Sequence, residues 1–133
     1  MRYLLDTNIV IASMKGLPDV RARLERTPVT SLVMSPIVLG ELRFGADNSS
    51  QPETNHARLA LLLQSMQLVP LDDAASRHYG QLRAVLERRG TPIGSNDYWI
   101  AAHAIALGAT LVTDNVREFS RVPALTLENW LQR

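Results

Sequence analysis

Tyr3-Leu4-Leu5-Asp6-Thr7-Asn8 is the stretch that decides the reading of this chain: a short apolar run stops at an acid and gives way to a helical pattern. Leu111-Val112-Thr113-Asp114 repeats that logic far downstream. Short runs rich in Leu and Val, each bounded by turn residues, read as strands at 3–5, 32–34, 68–69, 110–112 and 125–127. Helical stretches lie between them at 7–14, 19–26, 36–45, 55–66, 73–89 and 96–107, with Gly108 as the C-terminal cap of the last. Strands that alternate with helices imply right-handed crossovers. The expected fold is α/β, a mainly parallel sheet of about five strands with helices on both faces. The polar stretch 46–54 and the shorter 88–92 read as loops within one domain spanning 1–133.

The chain has 133 residues, 46% of them hydrophobic, enough for a real core. It contains no cysteine, which excludes disulfides, thiolate zinc sites and cysteine nucleophiles and fits a reducing cytoplasm. No secretory leader or membrane span is expected, so the protein should stay in the cytoplasm. Net charge is only +1, so binding to nucleic acid would rest on a local basic patch. The only lysine is Lys15; all other basic residues are arginine, which suits bidentate phosphate contacts or simple surface solubility.

Four acids stand at informative joints. Asp6 and Asp114 each close a strand, where ligands gather at the carboxyl edge of an open parallel sheet, although Asp is equally a favoured helix N-cap. Glu41 shares a helical stripe with Ile37, Val38, Leu42 and Gly45, so its carboxylate turns toward the buried face. There it needs a cation, either a metal or an arginine such as Arg43. Asp97 follows Ser95, read as an N-cap, and Asn96. The helix dipole would favour an acid there, yet Asp97 shares its face with Ile100, Ala101 and Ala104. One shared acidic pocket accounts for all four better than four separate caps.

Clustered carboxylates repel one another, and a hard divalent cation relieves the repulsion. Magnesium or manganese, which take oxygen ligands and keep several waters, suit acids drawn from distant positions. Such a metal lowers the pKa of a bound water and neutralises charge on a phosphate, so phosphodiester hydrolysis is the natural chemistry.

With these residues in view, the chain resembles the PIN-domain ribonucleases, and among them the VapC toxins of bacterial toxin–antitoxin pairs. The likeness runs through Leu4-Leu5-Asp6-Thr7-Asn8, Val38 to Gly45 around Glu41, Ile93 to Ala104 around Asp97, and Leu111 to Pro123. The last block and the ending Leu127-Glu128-Asn129-Trp130 are similar to the enteric VapC and FitB branch. The resemblance implies a PIN-like three-layer α/β/α fold. It also implies a magnesium-dependent endoribonuclease in which Asp6 and Asp97 hold the metal and Glu41 is a further ligand or a water-orienting base. The fourth position is either Asn115, two residues after Thr113, or Asp114, one residue after it. Water would attack phosphorus and leave a 5′-phosphate and a 3′-hydroxyl, and the branch implies initiator tRNA, cut in the anticodon stem-loop, as substrate.

Arg43, Arg117 and Arg121 adjoin the acidic motifs and are candidates for RNA phosphate contacts, Lys15 a poorer one; ion pairing with a neighbour such as Glu118 is the alternative. Tyr98, Trp99 and Trp130 read as core or interface residues in preference to base-stacking ones. The resemblance further implies a homodimer, within a higher toxin–antitoxin assembly, and a VapB-like antitoxin whose C-terminal segment covers the active site. The apolar Leu59-Ala60-Leu61-Leu62-Leu63 would suit that groove or the dimer interface.

Rival readings fit less well. A haloacid-dehalogenase-type phosphatase wants a second Asp where Asn8 stands, and a receiver domain wants paired early acids and a late lysine. A catalytically inactive PIN-like module that only binds RNA or protein is the alternative from another class, and the presence of Asp6, Glu41 and Asp97 argues against it.

Overall fold

In the computed structural model, which describes residues 1–131, a five-stranded sheet has the order β3-β2-β1-β4-β5. Its strands are β1 (Tyr3–Leu5), β2 (Leu32–Met34), β3 (Gln67–Leu68), β4 (Thr110–Val112) and β5 (Leu127–Glu128). Every pairing is parallel, with Leu4 facing Val33 on one side and Leu111 on the other. Parallel strands need crossovers, and helices supply them. They are α1 (Thr7–Met14), α2 (Pro18–Arg26), α3 (Pro36–Asp47), α4 (Pro52–Leu63), α5 (Asp73–Arg88), α6 (Ser95–Leu107) and α7 (Val116–Phe119). Leu4, Leu5, Val33, Met34, Leu111 and Val112 are fully buried, as continuous apolar runs in a sheet covered on both faces should be. Each such side chain contributes roughly 1.5–3 kcal/mol by burial. The expected PIN-like α/β/α architecture is therefore present.

Local chemistry sets the helix starts. Ser35 caps α3 by accepting from the Ile37 N–H at 3.1 Å, with Pro36 next in the first turn. Asp72 caps α5 through the Ala75 N–H at 3.0 Å. Gly108 ends α6 in the left-handed region, φ 63°, a conformation that costs glycine nothing.

Several sequence expectations shift. The third strand is Gln67–Leu68, not 68–69, and the fifth is Leu127–Glu128, not 125–127. The fourth helix runs Pro52–Leu63, not 55–66, because Pro52 opens it and its first turn is polar and exposed, which hid it inside an apparent loop. Residue 95 belongs to α6 and the cap is Gly94, so Ser95 makes no capping bond. The short α7 has too few residues to show a period.

Candidate active site

The carboxyl edge of the two central strands carries the site. Asp6 leaves β1 with its backbone N–H bonded to the Val112 carbonyl at 2.9 Å, which ties it to the end of β4. Its side chain is only 5% exposed. Oδ1 accepts from the Thr7 N–H at 2.8 Å, and Oδ2 accepts from Thr113 Oγ1 at 2.7 Å and Asn8 Nδ2 at 3.4 Å. Asp6 is thus the N-cap of α1, and that role leaves its carboxyl at the edge where the other acids gather, so the two sequence readings are compatible.

Thr7 links the first acid to the second, since its Oγ1 donates to Glu41 Oε2 at 2.7 Å. The other Glu41 oxygen accepts from Asn96 Nδ2 at 3.4 Å, joining α3 to the start of α6. Glu41 is half-buried, and among the described residues none of the ion pairs includes it. Among the described residues no arginine pairs with it, and Arg43 is exposed.

Asp97 lies in the first turn of α6, half-buried, as its face-sharing with Ile100 and Ala101 implied. Beside it stands an acid that sequence reasoning did not place in the site. Glu118, on α7, accepts from the Gly94 N–H at 2.8 Å with Oε1 and from Asn115 Nδ2 at 2.6 Å with Oε2. A side chain at Gly94 would press on this pair, its Cβ falling 3.2 Å from Asp97 Oδ2 and 3.9 Å from Glu118 Oε1. Glu118 looked like a surface charge among Val116-Arg117-Glu118-Phe119. Its spacing of three from Asn115 inside a one-turn helix was the only sequence signal available.

The two candidates for the fourth position diverge. Asp114 Oδ1 accepts from Asn129 Nδ2 at 3.2 Å, toward the chain that follows β5, while its N–H bonds Asn8 Oδ1 at 3.1 Å. Asn115 instead turns its amide onto Glu118.

Electrostatics report the crowding. Burial raises the Asp6 carboxyl above its ordinary value against the hydrogen bonds from Thr113 and Thr7, and the charges of Glu41 and Glu118 raise it further. Asp97 is pushed up to about 7, first by burial, then by the charge and hydrogen bonding of Glu118, with Asp6 and Glu41 adding to it. Burial pulls Glu118 up too, but the Gly94 N–H, the Asn115 amide, Asp97 and the Arg121 charge together hold it below the usual value.

Arg43, Arg117 and Arg121 are all exposed. Arg121 is partly committed, its Nη1 donating to the Pro92 carbonyl at 2.9 Å and so pinning the loop that leads into Gly94. Lys15 and Arg58 line a cavity of about 340 Å³ bounded by Ile11, Leu42, Leu59 and Glu41. Within the apolar stretch only Leu59 is buried, and Leu61 is 65% exposed. Tyr98 and Trp130 are core residues: the Tyr98 hydroxyl accepts from the Ile93 N–H at 3.2 Å, and Trp130 Nε1 donates to Glu128 at 2.9 Å. Trp99 is half-buried and stacks on Tyr79 at 4.0 Å.

Comparison with known proteins agrees with this geometry. The PIN domain family model matches residues 3–125. The chain is 42% identical over 132 residues to Ribonuclease VapC2 of Rickettsia felis, covering 98% of each protein. It is 38% identical over 131 residues to the tRNA(fMet)-specific endonuclease VapC of Salmonella typhimurium, again covering 98% of each. Its fold superposes with a TM-score of 0.93 on the crystal structure of VapBC2 from Rickettsia felis bound to a DNA fragment from their promoter, at 40% identity, covering 98% of this chain and 100% of that one. By family model, full-length similarity and fold, this chain belongs to the PIN domain family and, within it, to the VapC ribonucleases.

Proposed function

We propose that the protein is the toxin of a type II toxin–antitoxin pair and acts as a magnesium-dependent endoribonuclease on tRNA, initiator tRNA first among candidates. The observation that carries the reading is the gathering of Asp6, Glu41, Asp97 and Glu118 from four segments, close enough that the other three raise the Asp97 carboxyl, while none of the ion pairs among the described residues includes any of the four. Carboxylates are not gathered this way for stability, since each raises the cost of ionising the next.

The donor set is all oxygen, which fits a hard divalent ion, magnesium or manganese. Among the described residues no three acids or histidines are already drawn into a cage. Asp6 and Asp97 would hold the ion, with Glu41 and Glu118 on either side. When bound, it supplies an acidified water and neutralises charge building on the phosphate.

The chain's own groups do the rest. Thr113 and the Thr7 N–H fix Asp6 in one rotamer, and Thr7 Oγ1 fixes Glu41 Oε2, which leaves Oε1, with only a long contact from Asn96, to orient a water or take its proton. Hydrolysis by water leaves a 5′-phosphate and a 3′-hydroxyl. Asn115 acts by holding Glu118, and Asp114 braces the strand ends instead of the reacting phosphate. Arg43 and Arg117 remain for RNA phosphates, and Arg121 shapes the loop before α6. A VapB-like antitoxin and a second copy of the chain are the expected partners, as the relatives' VapBC complexes suggest.

Purified protein incubated with total cellular RNA, with and without magnesium, followed by mapping of new 5′ ends, tests the reading. New ends that carry phosphate, need magnesium and cluster in tRNA support it. Binding without cleavage would mark an inactive RNA-binding module and overturn it.

A further inference from the structure

A second cavity, of about 540 Å³, opens beside Glu41 along α3 and is lined by Thr7, Ile37, Gly40, Glu41, Phe44 and Asn96. Two features of it are unexplained by the chemistry above. Phe44 is 68% exposed, and among the described residues no other aromatic ring stacks on it. Gly40 sits within α3, where glycine weakens a helix, yet a Cβ built there meets nothing within 4 Å. Packing therefore does not demand glycine at this position. Its bareness instead leaves open space beside the phenyl ring, because Phe44 neighbours Gly40 and Glu41 on the helix surface at spacings of four and three.

We propose that Phe44 is a stacking platform for a nucleobase of the RNA immediately beside the scissile phosphate, with Gly40 leaving the slot in which that base lies. The inference rests on the nuclease reading and specifies how the substrate is held. Continuity with Glu41 points to RNA: Glu41 and its hydrogen-bond partners Thr7 and Asn96 line this cavity, so a phosphodiester held at the acids would place its flanking base here. Proteins bind single-stranded RNA by splaying bases onto aromatic faces, a contact that tolerates any base because each has a π-face. Phe44 offers such a face without a hydrogen-bonding group. It therefore positions the substrate and leaves the choice of sequence to other contacts.

The test uses the full-length protein and an RNA oligonucleotide spanning a cleavage site mapped as above, with and without an abasic nucleotide on each side of the scissile bond. Phe44→Ala is expected to lower kcat/KM on the intact oligonucleotide about tenfold or more, the loss that removing one base-stacking contact brings. On one of the two abasic oligonucleotides the same substitution should cost nothing further. Phe44→Trp should restore activity and Phe44→Leu should not. Gly40→Leu, whose side chain enters open space, should fold normally and impair cleavage as Phe44→Ala does. An unchanged kcat/KM for Phe44→Ala, or an equal loss on intact and both abasic RNAs, overturns the proposal. So does a Phe44→Ala defect seen only in antitoxin binding or dimerisation. A wild-type protein that cleaves no RNA overturns the nuclease reading itself, and this inference with it; an active wild type beside an unimpaired Phe44→Ala overturns this inference alone.

Discussion

Asp97 and Glu118 face each other beside Gly94 and divide their acidity unequally. Asp97 is pushed up to about 7, by burial first and then by Glu118, while Glu118, though burial opposes it, is held below its usual value by the Gly94 N–H, the Asn115 amide and Asp97. The pair therefore keeps a proton on Asp97 into the neutral range when no cation is present. In the proposed mechanism a cation and that proton would compete for the same oxygens, and the consequences can be measured.

Metal-free stability should fall as pH rises. Folding lifts the Asp97 pKa from its ordinary value of 3.8 to about 7, so its stabilising contribution is full below 3.8 and is lost as pH rises through about 7. Asp97→Asn should remove this slope and, in chelator above about pH 7, melt a few degrees higher than wild type. Magnesium should raise the melting temperature of the wild type and barely move that of the variant. Thermal melts across this pH range, with chelator and with magnesium, check both.

Cleavage should rise with pH through the same region, because the acid must lose its proton to bind the ion. Raising the magnesium concentration should shift the midpoint of the pH–rate profile downward, since metal and proton exchange at one site. Asp6→Asn and Asp97→Asn should each lower cleavage by at least roughly 10²-fold while leaving the circular dichroism spectrum unchanged. Full cleavage by either variant, or undiminished cleavage in excess chelator, would sink the mechanism.

Glu118→Gln and Asp114→Asn should separate cleanly. Losing the Glu118 charge lets the Asp97 pKa fall, so the pH–rate midpoint moves down while the rate drops about tenfold or more for want of one carboxylate. Asp114 accepts from Asn129 and should tolerate the amide, keeping cleavage within about twofold, an effect under 0.5 kcal/mol. A dead Asp114→Asn beside an active Glu118→Gln would reverse the assignment of the fourth acid.

Thr113→Val should cost stability without deforming the sheet. The side chain is fully buried, and its Oγ1 donates to Asp6 Oδ2 at 2.7 Å and accepts from the Asn115 N–H at 3.0 Å. Removing the shorter of the two donors to the buried Asp6 Oδ2 costs about 1–3 kcal/mol, readable in urea unfolding. Cleavage should weaken as well, because Asp6 loses the donor that fixes its rotamer.

His103 sets a slope of the opposite sign. It is 1% exposed on α6, and among the described residues neither ring nitrogen makes a well-formed hydrogen bond, the nearby Pro70 backbone included. Burial lowers its pKa below 6.5, outweighing the pull of Asp72. The stability of its neutral form is present above 6.5 and is lost as pH falls below that value. His103→Leu should flatten the acid side of the melting profile while leaving the slope due to Asp97 intact.

The sequence made the central strands and three of the acids legible because each feature is local. Tyr3–Leu5 and Thr110–Val112 are unbroken apolar runs with an acid just beyond, or one residue beyond, their ends, and Glu41 and Asp97 fall on apolar helix stripes. What escaped depends on contacts between distant segments. Glu118 enters the site only because the Gly94 N–H, 24 residues earlier, reaches it. Thr7 and Thr113 gave no signal, since a hydroxyl that orients a carboxylate looks like any other threonine. The start of α4 was missed because Pro52 and a polar first turn imitate a loop. The side that Asp114 faces is fixed by Asn129, beyond β5, which no pattern around Asp114 itself could reveal.

The central place of β1 in the sheet has a further bearing on a toxin that attacks RNA. Leu4 pairs with Leu111, and Asp6 takes its Oγ1 hydrogen bond from Thr113, 107 residues later. A chain still being synthesised therefore carries Asp6 and Glu41 with nothing to close around them until β4 leaves the ribosome. The long reach that slows such a sheet in forming also means that the carboxylates Asp6 and Glu41 meet Asp97 and Glu118 only once the last third of the chain is in place.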